Sequence, residues 1–382
     1  MREAETGSII LNNMRNTIGS NVQLTVFGES HGPVVGVVLD GLAPGVEVDE
    51  SFIADRLSRR RPSGATDTAR VEKDVFQILS GVYEGYTTGA PVSIIIPNTN
   101  VRSSDYPVGV ARPSHADYTA EVKYHGFEDL RGGGHFSGRI TAGIVAAGAI
   151  CQKALETRNI RVATHILECA GVHDYPFAQD NKALREQMDR VESSVFPVIG
   201  SVESEMKEAI LEAKADGDSV GGVIQTCIDG LPAGVGEPWF DSLESVISKA
   251  IFGIGGIKGI EFGSGFAFAG MRGSEANDQM RIADGHVVTI SNHNGGINGG
   301  ITNGMPIVFN MAVKPTPSIS KMQETVDFRR DEEVSLALKG RHDPAIIRRI
   351  CPVVTALVAV VACDALSMRF GTDFLSGGKK NG

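Results

Sequence analysis

Cysteine is scarce and unpatterned in this chain. Its five residues, Cys151, Cys169, Cys227, Cys351 and Cys363, are odd in number, widely scattered and form no Cys-x-x-Cys pair. That excludes a disulfide framework and a zinc-ribbon type of site, so no metal is expected and a reducing, cytoplasmic compartment is. Positive charge is also in short supply, with 36 Lys and Arg against 46 Asp and Glu and a net charge of −10. An acidic chain disfavours nucleic acid and anionic membrane as partners, and leaves any anionic ligand to a local basic cluster. Long apolar runs are missing too. The most apolar stretch, 353–361, is closely flanked by Arg348, Arg349 and Asp364; a membrane span needs roughly 20 residues, so a buried helix is predicted instead. The opening MREAETGSIILNN has neither the basic start nor the long apolar centre of a signal peptide. Residues 1–13 are read as an N-terminal extension, with Met14 as an alternative start.

Glycine is what the chain has in excess. The 46 glycines among 382 residues follow no collagen period, which implies many tight turns and close backbone approaches. Hydrophobic residues at 42% and charged residues at 21% are ordinary for a folded soluble protein. An internal repeat organises it. VVGVVLDGLAPGV at 34–46 recurs as GGVIQTCIDGLPAGV at 221–235, each an apolar strand-like run, then Asp-Gly-Leu, then a Pro/Gly turn. A helical pattern follows each turn: Phe52, Ile53 and Leu57 in the first copy, Phe240, Leu243, Val246 and Ile247 in the second. The stretches 140–155 and 353–366 are also alike, Ala/Val-rich and without a polar face, so both should be covered on all sides. The expected fold is α+β, one domain over 14–370 made of two pseudo-symmetric halves, about 14–175 and 200–370. Long helices form its central layer, sandwiched between antiparallel sheets. Exposed amphipathic helices are predicted at 180–191 and 201–218, and a flexible tail at 371–382.

Several loops could carry chemistry, and each has a bland explanation beside the functional one. His31, in Gly28-Glu29-Ser30-His31-Gly32 after the apolar run VQLTVF, could meet a ligand or simply cap a loop. The Gly-x-Ser-x-Gly elbow of serine hydrolases does not fit there. His115, between Arg112 and Asp117 and just after Pro113, could have its imidazole oriented by the Asp117 carboxylate, or sit in a plain turn. The loop 131–139, RGGGHFSGR, feeds the 140–155 helix. It could offer bare N–H groups, with Ser137 and Arg139, to an anion, or be only a turn. Arg56, Arg59, Arg60, Arg61, Arg70 and Lys73 form the densest basic patch, suited to a multiply charged small anion or to a solvated helix end. Asp343 before Pro344 reads as a helix cap, with Arg341 and His342 as functional neighbours.

Taken together the motifs are more specific. GESHG, RPSHADY, RGGGHFSGR-x-T, GGI-x-GGI-x-NG, KPTPS and GRHDP, in this order and spacing, resemble those of chorismate synthase, from about Thr17 to about Leu366. The resemblance implies a homotetrameric enzyme of the shikimate pathway. Its reaction would be an anti 1,4-elimination of phosphate from 5-enolpyruvylshikimate 3-phosphate, with reduced FMN as cofactor and no net redox change. By resemblance, His31 is the acid for the departing phosphate with Ser30 beside it, His115 faces and protonates the flavin, and Asp343 assists proton transfer at N5. Ser137, Gly299, Lys314, Pro315, Thr316, Pro317, Ser318 and Arg341 are similar to flavin contacts, and by position so are His135 and Phe136. Arg60, Arg70 and Arg139 fall where the family holds substrate anions and, in some members, NADPH.

Some positions depart from the family pattern. RGGGHFSGR has His135 and Phe136 where Arg and Ser are usual, and between Arg61 and Arg70 the chain has PSGATDTA where another arginine is usual, which favours an external flavin reductase over NADPH. The stretch 253–259 has glycines where Asn-Ala is common, and Ala345 replaces a cysteine. A non-catalytic paralogue that binds flavin or a phosphometabolite, or another flavin-dependent lyase or oxidoreductase, are the alternatives.

Overall fold

The computed structural model describes residues 16–67, 73–99, 109–283, 285–338 and 342–378. The first 160 residues supply an antiparallel sheet of β1 (Thr17–Ile18), β2 (Gln23–Gly28), β3 (Val34–Asp40), β4 (Gln77–Ser80) and, after a small hairpin of β5 (Val82–Tyr83) and β6 (Tyr86–Thr87), β7 (Val92–Pro97). Its order is β1-β2-β3-β7-β4. With it come α1 (Glu50–Arg60), α2 (Asp117–Tyr124) and α3 (Thr141–Glu156).

The second antiparallel sheet contains β8 (Arg161–Cys169), β9 (Val172–His173), β10 (Gly222–Asp229), β11 (Ile257–Phe262) and, after the hairpins β12 (Met280–Ala283)/β13 (His286–Thr289) and β14 (Ile297–Asn298)/β15 (Ile301–Thr302), β16 (Ile307–Val313). The order is β11-β16-β10-β8-β9. The helices are α4 (Asn181–Ser193), α5 (Glu203–Ala215), α6 (Leu243–Ile251), the single turn α7 (Gly273–Ala276) and α8 (Ile347–Phe370). A last hairpin, β17 (Gln323–Asp327)/β18 (Glu332–Leu336), precedes α8.

The two sheets repeat one plan: β2-β3-β7 with α1 and α3 in the first, β8-β10-β16 with α6 and α8 in the second. The Asp-Gly-Leu motifs show why. Gly41 has φ +76°, and a Cβ there would lie 1.8 Å from the carbonyl oxygen of Asn21, just before β2. Gly230 has φ +89°, and its Cβ would lie 2.5 Å from the carbonyl oxygen of Asn159, just before β8. Each glycine lets one strand leave the sheet against the entry of its neighbour. The second sheet therefore begins at residue 161, ahead of the expected divide between 175 and 200, because β8 pairs with β10.

The helices form the layer between the sheets. α3 lies against β3, where a Cβ on Gly143 would fall 2.6 Å from Val37 Cγ1, and against α8, where a Cβ on Gly148 would fall 2.5 Å or less from Ala356. One apolar cluster runs through both halves, joining Val37 and Ile94 to Ile150, Val358, Ile166 and Phe309. The 24-residue α8 is long and apolar enough to cross a membrane, but 83% of its apolar window is buried inside the protein. That is the place for a helix with no polar face. α4 covers the outer side of the second sheet through Leu184, Met188 and Val191.

Other details differ from the sequence reading. Phe240 lies in a short turn and is exposed, and α6 starts at Leu243, where the Ser242 hydroxyl accepts from the Ser245 N–H. α8 starts at Ile347, so Asp343 does not cap it; its carboxylate is taken by Arg349 instead. The start of the expected tail is packed, since Leu375 is buried and Phe374 stacks on Phe370 at 4.6 Å. Apolar side chains at 374–375 have core to cover, which the polar remainder lacks.

Candidate active site

Two loops close on each other at the ends of β2 and β7. After Gly28 (φ +94°) the chain turns so that the Ser30 N–H donates to the Gly134 carbonyl at 3.0 Å. Ser30 and His31 are both buried, and the Ser30 hydroxyl oxygen is buried with no partner. Asn98, just past β7, holds this loop: its Nδ2 donates to the carbonyls of Glu29 and Gly32 at 3.0 and 2.8 Å, and its Oδ1 accepts from Arg139 Nε at 2.8 Å.

The glycine-rich loop supplies the second wall. Gly132, Gly133 and Gly134 have φ of +62°, +85° and +51°, a path that L side chains resist. Gly132 lies against His31, since a Cβ on it would be 2.4 Å from His31 Nε2, and Gly133 lies against His115, with a Cβ 3.7 Å from Cε1. One turn thus seats both histidines, which are far apart in sequence.

His115 is oriented by a carboxylate. Its Nδ1 lies 2.7 Å from Asp117 Oδ1 and 3.0 Å from Arg112 Nη2. Arginine can only donate and a carboxylate only accept, so the shorter contact sets Nδ1 as the protonated nitrogen and leaves Nε2, toward Gly133, as the basic one. Asp117 also receives Arg112 through its backbone N–H, Nε and Nη2 at 3.0, 2.8 and 2.7 Å. Burial opposes its charge, but the hydrogen bonds from Arg112 and His115 outweigh it and hold the carboxyl well below the usual range.

Behind the loop lies a buried cationic group. Asp74 bridges Arg60, at 3.3 Å, and Arg139. Arg60 also donates to Thr141 Oγ1 and the Gly138 carbonyl, both at 2.9 Å, and Arg139 to the Pro97 carbonyl at 3.1 Å. Burial pulls the Arg60 guanidinium down to about 10, with Asp74 acting against it. Arg349 continues the cluster, donating through Nε to the Arg60 carbonyl at 2.9 Å and pairing with Asp343. On the other flank Lys314 Nζ donates to the Ser114 carbonyl at 2.6 Å, next to His115. Burial and the neighbouring Lys258 lower its pKa. In the same stretch Thr316 Oγ1 is buried without a partner and Ser318 is buried.

His31, His115, Ser30, Arg60, Arg139, Asp343 and Lys314 therefore belong to one connected cluster. The remaining candidates are placed in and around the loop or at a distance from it. His135 Nδ1 donates to the Gly28 carbonyl at 2.8 Å, and Phe136 is half-exposed, 6.2 Å from the Tyr124 ring. Ser137 Oγ accepts from the Arg139 N–H. Gly299 is at the β14/β15 turn, with open space within 4 Å of a Cβ. Arg70 and Arg341 lie outside the described residues. Sequence reading missed Asp74 and Asn98. For Asp74 a signal existed: a buried run of arginines needs a counter-ion close by.

The profile of the chorismate synthase family matches residues 22–367 of the chain. The chain belongs to the chorismate synthase family. Chorismate synthase of Pyrococcus abyssi is 44% identical over 355 residues, 92% of this chain and 97% of that protein. Chorismate synthases of Thermococcus gammatolerans, 42% identical with the same coverage, and Aeropyrum pernix, 43% identical over 93% of each chain, are similar. A crystal structure of a chorismate synthase superposes with a TM-score of 0.74 at 28% identity, covering 92% of this chain and 94% of the other. Membership covers the histidine, arginine and flanking loops alike, and its function is that of the chorismate synthases.

Proposed function

We propose that the chain is a carbon–oxygen lyase that removes phosphate from 5-enolpyruvylshikimate 3-phosphate by anti 1,4-elimination, giving chorismate, with reduced FMN and no net redox change. The observation that carries this reading is the Gly132–Gly133 turn, which seats His31 and His115 on one loop beside the Arg60–Asp74–Arg139 group.

The residues present fit a flavin. Thr316 Oγ1 is a buried polar atom without a partner, and bare Gly133 leaves the face beside His115 unfilled. Lys314, Thr316 and Ser318, with the backbone at Pro315 and Pro317, would hold it, joined by Ser137, His135, Phe136, Gly299 and Arg341. When bound, reduced FMN supplies electron density to the substrate and a base for its C6 proton.

The chain's own residues do the rest. Arg60, Arg139 and the Ser30 hydroxyl hold substrate anions, Arg70 joining them; arginines kept out of water bind oxyanions more strongly than solvated ones. His31 delivers a proton to the phosphate as the C3–O bond breaks. His115, its Nδ1–H fixed by Asp117, presents Nε2 for proton exchange with the flavin, and Asp343, held by Arg349, serves as proton relay. The lack of a further arginine between Arg61 and Arg70 favours an external reductase over NADPH as the source of flavin electrons. The exposed Trp239, Phe240 and Phe266 support assembly into a homotetramer through apolar surface.

Paired substitutions test these roles. His31→Ala is expected to lower kcat by about 10²–10⁴ with flavin binding kept. His115→Ala is expected to lower kcat and also to change the absorbance of the bound reduced flavin. Equal flavin spectra in the two variants, or near-normal kcat in both, would refute the division.

A further inference from the structure

Away from the histidine loop, a pocket of about 50 Å³ opens between α1, α3, α8, β8 and the end of α4. One water needs roughly 10–15 Å³ on this scale, so the space suits about three to five waters or one small organic ion. Three guanidinium groups line it, those of Arg56, Arg59 and Arg348, with one carboxylate, Glu192.

Most of these charges already have partners. Arg59 donates to Asp55 at 2.9 Å, Arg348 pairs with Asp67, and Glu192 receives Arg161 at 2.9 Å. Arg56 is the exception. Its ion pairs with Asp55 and Glu192 are 3.6 and 3.7 Å long, too far for hydrogen bonds. Its guanidinium lies over the Phe52 ring at 4.3 Å, and burial lowers its pKa. The Nε of Arg56 and the Nε of Arg348 are both buried with no hydrogen-bond partner, and the Arg348 side chain is only 4% exposed. Among the described residues, Arg56 is thus the one guanidinium of the pocket wall without a close hydrogen-bonded anion, and a part-buried cation in that state points to an absent acceptor.

The walls select among acceptors. Val162, Ala163, Val191, Val195, Pro197 and Pro352 make much of the lining apolar. A phosphate dianion would need more donors than remain open here, whereas a carboxylate offers two oxygens to guanidinium groups and carries carbon for the walls. We propose that this pocket binds a small monocarboxylate with a short apolar body, its carboxylate on Arg56.

Titration of the full chain with butyrate, its neutral isostere butyramide and inorganic phosphate, read by calorimetry and ligand-observed NMR, tests this. Butyrate is expected to saturate, with the other two at least about tenfold weaker, the effect of roughly one charge-assisted hydrogen bond. Arg56→Gln should abolish saturation. Val195→Trp, at an exposed position on the pocket wall, should do so by filling it. His115→Ala should leave binding unchanged, which separates this pocket from the proposed active site. The proposal is overturned if butyrate fails to saturate at tens of millimolar, if folded Arg56→Gln binds it as the parent does, or if phosphate binds more tightly than butyrate.

Discussion

Gly132→Ala should separate the catalytic seat of His31 from simple backbone strain. At φ +62° an alanine costs about 1–2 kcal/mol, within what a domain stable by about 5–15 kcal/mol can absorb. The new methyl would lie 2.4 Å from His31 Nε2, 2.7 Å from Cδ2 and 3.0 Å from Cε1. Relaxed carbon contacts are about 3.5–4.0 Å, so the ring must retreat by about 1 Å, a misplacement that costs on the order of 100-fold in rate. Gly133→Ala carries the same kind of backbone cost at φ +85°, but its methyl would sit 3.7 Å from His115 Cε1, an ordinary contact. Gly138→Ala meets nothing within 4 Å and should be nearly silent. With kcat measured at saturating reduced FMN and substrate, and melting followed in parallel, Gly132→Ala alone should lose about 100-fold in kcat. Should Gly132→Ala and Gly133→Ala lose stability alike and keep similar kcat, the seat has no catalytic meaning.

Three further outcomes are expected. Asp74→Asn leaves Arg60 and Arg139, each 5% exposed, without their shared carboxylate; a loss of about 3–5 kcal/mol and a raised KM for the phosphate ester should follow, and unchanged denaturation and KM would contradict this. Asp117 has a depressed folded pKa, so its contribution is complete above its unfolded value of about 3.9 and disappears as pH falls further. The stability gap between parent and Asp117→Asn should therefore be flat from neutral pH down to about pH 5, begin to shrink below about pH 4 and go on shrinking as pH falls toward the depressed folded value; a gap unchanged from about pH 5 to about pH 2 would oppose it. All five thiols are buried, with Cys169 pushed up to about 11 by burial, so the native protein should resist a thiol reagent that modifies every cysteine after denaturation.

Much of this was legible in the chain because its signals are local. The repeated Asp-Gly-Leu and the featureless apolar stretches at 140–155 and 353–366 encode the repeated strand exit and the buried α3 and α8 without reference to anything distant. The placement of β8 was not legible, since a strand's sheet is fixed by its partner and β10 lies beyond two helices. At the site, His31 and His115 could be named from their motifs, but their meeting depends on the φ values of Gly132 and Gly133. Asp74 and Asn98 act through contacts with residues tens of positions away, which no spacing rule reports. Asp343 looked like a helix cap because Asp-Pro commonly is one; in the structure Ile346 holds the cap position and the Asp343 carboxylate pairs with Arg349.

The proposed elimination uses reduced flavin without consuming it. Under strict anaerobiosis, the purified chain with chemically reduced FMN and 5-enolpyruvylshikimate 3-phosphate should release chorismate and phosphate in equal amounts over many turnovers, with the flavin still reduced at the end. Phosphate release without chorismate, or flavin oxidised in step with product, would contradict it.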